Sequence, residues 1–248
     1  MAVYFGDSVA FGCGNGLRDN FKLAERIVCR SNPKALIFDM DGVVVDSNGV
    51  HRNAWIEFNA RHGIATTEAM LGRMYGKRND EIVRDFFGPH LTSDEIFAHG
   101  TAKEALYREM IAPGVKEALV PGIREFLEAH QHLPIALATN AEGANAELVL
   151  SATGLRQFFR FLIDGHQVQH AKPHPEIYLL AAKLLAIDPS ECIVFEDSYA
   201  GVAAGLAAGM QVIGIQTTHE ELPGTVFAVP DFQGAVLGEW LKGGIHSR

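Results

Sequence analysis

The stretch Ala35-Leu-Ile-Phe-Asp39-Met-Asp41-Gly42 runs four apolar residues directly into two carboxylates and a glycine. A short apolar run after Asn32-Pro33 reads as a buried strand that ends at Asp39. The pattern recurs along the chain. Residues 134–138 precede Thr139-Asn140, 159–163 precede Asp164-Gly165, 192–195 precede Glu196-Asp197, and 212–215 follow Gly209. Helix-like windows at 122–131, 144–153, 175–185 and 198–208 lie between most of them. Buried strands alternating with helices predict an α/β fold, a Rossmann-like core with a mostly parallel sheet. Crossover connections bring strand C-terminal ends to one edge, where such sheets bind ligands. Asp39, Asp41, Thr139, Asn140, Glu196 and Asp197 all fall just past strand ends, so they are expected to converge there.

One interval breaks the alternation. Between 48 and 119 no segment reads as a strand, while 51–62, 80–87 and 93–110 read as helices. A small all-helical domain over 48–119 is expected to interrupt an α/β core made of 34–47 and 120–248, with hinges at 46–49 and 113–122. Residues 1–33 form an N-terminal extension whose Gly12-Cys-Gly-Asn-Gly16 piece reads as loop.

The chain has 248 residues, with 21 Lys+Arg against 30 Asp+Glu, a formal charge of −9. That acidity argues against a nucleic-acid backbone or an anionic membrane as partner. Cys13, Cys29 and Cys192 are odd in number and form no CxxC, which predicts no disulfide framework and a cytoplasmic protein. The uncharged stretch 198–218 changes period midway and reads as a buried helix followed by a buried strand, not a membrane span.

Residues two apart in an extended chain point the same way, so Asp39 and Asp41 share a small space. Like charges that close resist joint ionisation unless a cation compensates. A magnesium ion solves this with oxygen ligands and keeps room for a substrate phosphate. Glu196-Asp197 offers further carboxylates for the same cation, and Asp197-Ser198 also suits a helix N-cap. Thr139-Asn140 offers a hydroxyl, an amide and backbone N–H groups, which serve equally as an anion site or a cap. Lys172, in Ala171-Lys-Pro-His-Pro175, is either a surface lysine or the cation that balances a phosphate among carboxylates.

These motifs resemble the haloacid dehalogenase-like phosphotransferase superfamily. The match runs through Phe38-Asp-Met-Asp-Gly-Val-Val-Val-Asp-Ser47, Thr139-Asn140, Lys172-Pro173 and Glu196-Asp-Ser-Tyr-Ala-Gly201, in the family's order. It covers 34 to about 230 and is most similar to the branch of β-phosphoglucomutase and phosphoglycolate phosphatase, whose helical cap follows the first strand. The resemblance implies that Asp39 is the nucleophile and Asp41 the general acid and base. It implies that Mg²⁺ is held by Asp39, the carbonyl of Asp41 and Asp197, with Glu196 as ligand or support. Thr139, Asn140 and Lys172 would hold phosphate. Haloacid dehalogenases lack an acid at the position of Asp41, so carbon–halogen hydrolysis is not expected.

Within that branch the chain departs from mutases. Their core lysine after the Thr139-Asn140 motif aligns with Glu142, and their cap arginine with Asn79, although Lys77 and Arg78 lie beside it. His51 matches a mutase histidine that gates the general acid. A carboxylate where a second phosphate must sit favours hydrolysis. The expected activity is therefore an Mg²⁺-dependent phosphatase for a small phosphorylated metabolite, a sugar phosphate or a phosphoglycolate-like acid. The alternatives are a phosphosugar mutase and a non-catalytic binding module. His90, His99, His130, His132, His166, His170 and His174 show no metal-ligand spacing and read as surface residues.

Overall fold

The computed structural model describes residues 33–75 and 77–241. The loop reading at 12–16, the extension before Pro33, Cys13 and Cys29 lie outside the described residues.

Strand β1 (Ala35–Phe38) sits inside a six-stranded sheet with β2 (Ile135–Ala138), β3 (Phe161–Ile163), β4 (Cys192–Glu196), β5 (Gln211–Ile215) and β6 (Ala228–Val229). The order is β3-β2-β1-β4-β5-β6 and every neighbour is parallel. Both faces of β1 are covered, which is why its four residues are all apolar. Leu36 and Phe38 join one buried cluster, and Ala35 and Ile37 the other. Phe38 stacks on Phe195 of β4 at 4.5 Å between ring centroids. The strand ends stay on the ladder: Asp39 N donates to Phe195 O and Thr139 N to Ile163 O, both at 3.0 Å. The residues just beyond β1 and β2 are thus positioned by the rigid centre of the sheet.

Between β1 and β2 the chain forms α1 (Asn48–Arg61), α2 (Glu68–Gly72), α3 (Asn79–Phe87), α4 (Ser93–Ile111) and α5 (Ile123–His130). No strand falls between 48 and 119 among the described residues. The outgoing and returning chains are tied together: Val45 bridges Leu119, Asp46 N donates to Ala118 O at 2.7 Å, and Val120 N to Val44 O at 3.1 Å. A full capping box, Thr92 with Glu95, opens α4. Its buried face runs Ile96, Gly100, Lys103, Tyr107, Ile111, a helical stripe in which a lysine occupies a core position.

After β2 come α6 (Gly143–Thr153), α7 (Glu176–Leu185), α8 (Tyr199–Ala207) and α9 (Ala235–Leu241). The stretch 198–218 is α8, capped by Ser198, followed by β5, and no described helix is long and apolar enough to cross a membrane. The third strand, Phe161–Ile163, is shorter than the run 159–163, and a 3-10 turn at Arg156–Phe158 precedes it. Helix α2 has five residues and β6 two, too few for a period to show.

Candidate active site

The four strand-end segments meet at one edge of the sheet. Lys172 is buried there, with Nζ 2.8 Å from Asp39 Oδ1, 2.7 Å from Glu196 Oε1 and 3.0 Å from Ala138 O. Three acceptors match the three donors of an ammonium group. Glu196 is fully engaged. Its Oε1 also accepts from Tyr178 Oη at 2.6 Å, and its Oε2 accepts from Asp197 N, Ser198 N and Ser198 Oγ. The carboxylate lies against Gly201, where a Cβ would stand 1.7 Å from Oε1. Glycine in the first turn of α8 is what makes room for Glu196.

Asp197 turns towards the β1 loop. Its Oδ2 accepts from Thr218 Oγ1 and, at 3.3 Å, from Asn48 Nδ2. Thr217 Oγ1 donates to Gly42 O at 2.5 Å. Gly42 has φ +77°, and a Cβ there would stand 1.8 Å from Asp197 Oδ2. Both the left-handed backbone and the close approach require glycine.

Asp41 belongs to the helical side. Ser47 Oγ donates to its Oδ1 at 2.5 Å, and His51 Nε2 lies 3.3 Å away. The ring of His51 stacks on Tyr107 at 3.8 Å, and its Nδ1 meets Lys103 Nζ at 2.7 Å. Lys103 in turn pairs with Glu104 Oε1 at 2.8 Å. Asn79 donates to Glu104 Oε1 at 2.7 Å and Asn145 to Oε2 at 2.6 Å. Arg108 ties Asn145 Oδ1 at 2.8 Å to Glu142 at 3.3 Å. The chain of contacts thus runs from Asp41 through α1 and α4 to the start of α6.

These groups surround a cavity of about 90 Å³. Of the residues singled out in the sequence, Asp39, Asp41, Thr139, Asn140, Lys172, Asp197, His51 and Lys77 line it. Two stand elsewhere. Glu196 lies behind Lys172, and Arg78 pairs with Asp80 at 3.3 Å and lines neighbouring grooves. The roof is Trp55, Met74, Tyr75 and Ile82, with Asn79 and Glu104 as polar groups.

Burial pushes the Asp39 carboxyl up to about 7 despite Lys172, with Glu196 and Asp41 adding to the rise. Burial, then Glu196 and Asp39, likewise raise Asp197 well above the usual carboxylate range. Burial also opposes ionisation of Asp41, but His51 and the bonds from His51 and Ser47 outweigh it and hold its carboxyl below the ordinary value. Lys172 rises because Asp39 and Glu196 outweigh its own burial. Asp39, Glu196 and Asp197 place oxygens within 4.8 Å of one another. Crowded, desolvated carboxylates, of which Asp39 and Asp197 hold protons more tightly than usual, are a donor set that a hard divalent cation fits.

Several residues of the site carry no local signal. Asn48 and Thr218 meet at 2.6 Å across 170 positions of sequence. Lys103 and Glu104 do leave a trace, since Lys103 sits on the apolar stripe of α4, and a charged residue on a core face is rarely idle.

Residues 33–209 match the haloacid dehalogenase-like hydrolase family, and the chain belongs to it. It is 31% identical to the fructose-1-phosphate phosphatase YqaB of Escherichia coli over 73% of this chain and 95% of that protein. It is 34% identical to hexitol phosphatase A of the same organism over 73% and 82%. Among solved structures it resembles β-phosphoglucomutase of Clostridium difficile, with a TM-score of 0.76 and 26% identity over 85% and 97% of the two chains.

Proposed function

We propose that the protein is a magnesium-dependent phosphatase that hydrolyses a phosphate monoester of a sugar or related polyol through a phosphoaspartate on Asp39. The observation that carries this reading is the placement of Asp39 and Asp41 on one cavity with Lys172 and Asp197 at its floor. Asp39, Asp197 and the carbonyl of Asp41 would hold the cation, which offsets phosphate charge and makes phosphorus a better electrophile. Glu196 orients Lys172, since both its oxygens are already engaged.

The Asp39 carboxylate attacks phosphorus in line, and the bond to the alcohol oxygen breaks. Asp41 gives that oxygen a proton, then takes one from the water that cleaves the phosphoaspartate. An incoming phosphate dianion raises the Asp41 pKa and favours the acid form needed first. Thr139 and Asn140 hold the phosphate oxygens while Lys172 balances their charge. Residues 48–119 act as a cap over 34–47 and 120–248. The cap presents apolar walls with Lys77, Asn79 and Glu104 as polar groups, which suits a hydroxylated leaving group. The relatives named for fructose 1-phosphate and hexitol phosphates agree with that class. The compartment on this reading is the cytoplasm, where the buried Cys192 stays a free thiol.

A mutase is the second reading, favoured by the His51–Asp41 contact and the likeness to β-phosphoglucomutase. Against it, Glu142 is a carboxylate already paired with Arg108. Incubation with Mg²⁺ and a panel of fructose 1-phosphate, hexitol phosphates, phosphoglycolate and β-glucose 1-phosphate separates them. Net phosphate release, strongest with the sugar and hexitol phosphates, is expected. Formation of glucose 6-phosphate without net release, given a bisphosphate primer, would replace the phosphatase with the mutase.

A further inference from the structure

The Lys172 loop has a second, outward face. His170 and His174 flank Lys172-Pro173, and their rings lie 4.6 Å apart. Glu176, the first residue of α7, stands between them, its Oε2 2.9 Å from His170 Nδ1 and 3.9 Å from His174 Nδ1. The three residues offer ligand atoms within 4.8 Å of one another. The two histidines are surface residues, as the sequence predicts, and the loop brings them together with Glu176. A helix would bring His170 and His174 to one face but not Glu176 with them, and it is the bend of this loop that gathers all three donors.

We propose that His170, His174 and Glu176 form a site for a borderline divalent transition metal of the zinc class, separate from the carboxylate centre. Two ligands at about 2.0–2.1 Å from zinc, set at tetrahedral angles, stand about 3.3 Å apart. The observed 2.9 and 3.9 Å bracket that value, so small side-chain rotations suffice. Glu176 is already oriented. Gln169 N donates to its Oε1 at 2.9 Å and His170 N to its Oε2 at 3.0 Å, the kind of support that fixes a ligating carboxylate. His174 Nδ1 accepts from Glu176 N at 3.3 Å, so this nitrogen is unprotonated, and a metal ligated there would replace that long hydrogen bond. Two imidazoles and one carboxylate select against Mg²⁺, which the all-oxygen centre prefers. Both histidine side chains are at least half exposed, so an ion reaches them from solvent. The two histidines line a groove of about 580 Å³ together with Arg78, Asp80 and Glu81.

The test is Co²⁺ binding to the full chain in saturating Mg²⁺, followed by equilibrium dialysis and by the visible absorption of low-symmetry cobalt(II). One equivalent of Co²⁺ that Mg²⁺ does not displace and Zn²⁺ does is expected. It should be lost in the His170→Ala/His174→Ala variant and weakened at least tenfold in His174→Asn, with hydrolysis in Mg²⁺ alone unchanged. Cobalt binding that Mg²⁺ fully displaces, or that the histidine variants leave intact, would overturn the proposal. The readout is binding, so it stands apart from the identity of the phosphate ester.

Discussion

Lys103 holds its ammonium 2.7 Å from His51 Nδ1, on the side of the ring away from Asp41. An ammonium can only donate, so Nδ1 must accept and the ring proton sits on Nε2, which faces Asp41 Oδ1 at 3.3 Å. A lysine buried in a helical stripe therefore sets the tautomer beside Asp41, the proposed general acid.

Lys103→Met removes that setting. Turnover is expected to fall about 10²-fold, within the usual worth of a positioned acid or base, with an altered pH–kcat profile. Glu104, held at about 2 against its own burial chiefly by Lys103, loses its main partner. Leaving one buried charge unpaired costs about 3–5 kcal/mol, read as a lower urea midpoint. Lys103→Met combined with Glu104→Gln should recover the midpoint and not the turnover. Recovery of both would show that Lys103 acts only on stability.

Stability should depend on pH and on metal together. The folded protein holds Asp39 at about 7 against an ordinary 3.8, so it binds this proton more tightly than the unfolded chain. The associated stabilisation is complete below about 3.8 and is lost as pH rises to about 7. Asp197 acts in the same direction. In EDTA, the Tm should fall across that window. Mg²⁺ should raise the Tm more at pH 8 than at pH 5, and Asp39→Asn should flatten the metal-free slope. Asp39→Asn should also lower turnover by about 10⁴ or more while keeping the fold. Equal Mg²⁺ stabilisation at both pH values would remove the carboxylate centre as the cation site.

Gly42→Ala tests the approach of the β1 loop to Asp197. The added Cβ would meet Asp197 Oδ2 at 1.8 Å and adopt φ +77°. The backbone alone costs about 1–2 kcal/mol. Because the displaced group is Asp197, the Mg²⁺ concentration for half-maximal activity should rise as well. A variant that loses stability with unchanged Mg²⁺ dependence would confine the role of Gly42 to the turn.

Lys77 and Arg78 are neighbours in sequence with different surroundings. Lys77 lines the cavity, and Arg78 is paired with Asp80. Lys77→Ala should raise KM about tenfold, equivalent to about 1.4 kcal/mol of binding, with little change in kcat. Arg78→Ala should leave KM as it was. Steady-state kinetics on the best ester of the panel decides between them.

The centre of the parallel sheet was legible because β1, β2 and β4 are apolar runs that end on a polar pair, as at Phe38-Asp39 and Ala138-Thr139. The helical interval was legible because 48–119 offers no such run. Within it, the sequence placed Lys77 and Arg78 together as one charge pair, and only the turn before α3 separates their directions. Asn48, Thr218 and Asn145 could not be found by spacing, since their partners lie on other elements. Glu196 shows the opposite limit. Its place beside Asp197 was evident, but five donors filling its two oxygens is a three-dimensional fact.

The contacts from Asn145 to Glu104 and from Arg108 to Glu142 fasten α4 to α6. Any motion that parts these helices admits water to Glu104, and a hydrated carboxylate attracts Lys103 far less strongly than a buried one. The grip of Lys103 on His51 then slackens, and the proton facing Asp41 loses its fixed address. On the proposed mechanism, the contacts between α4 and α6 therefore do more than join two helices: they hold Lys103, and through it the His51 proton, in place beside Asp41.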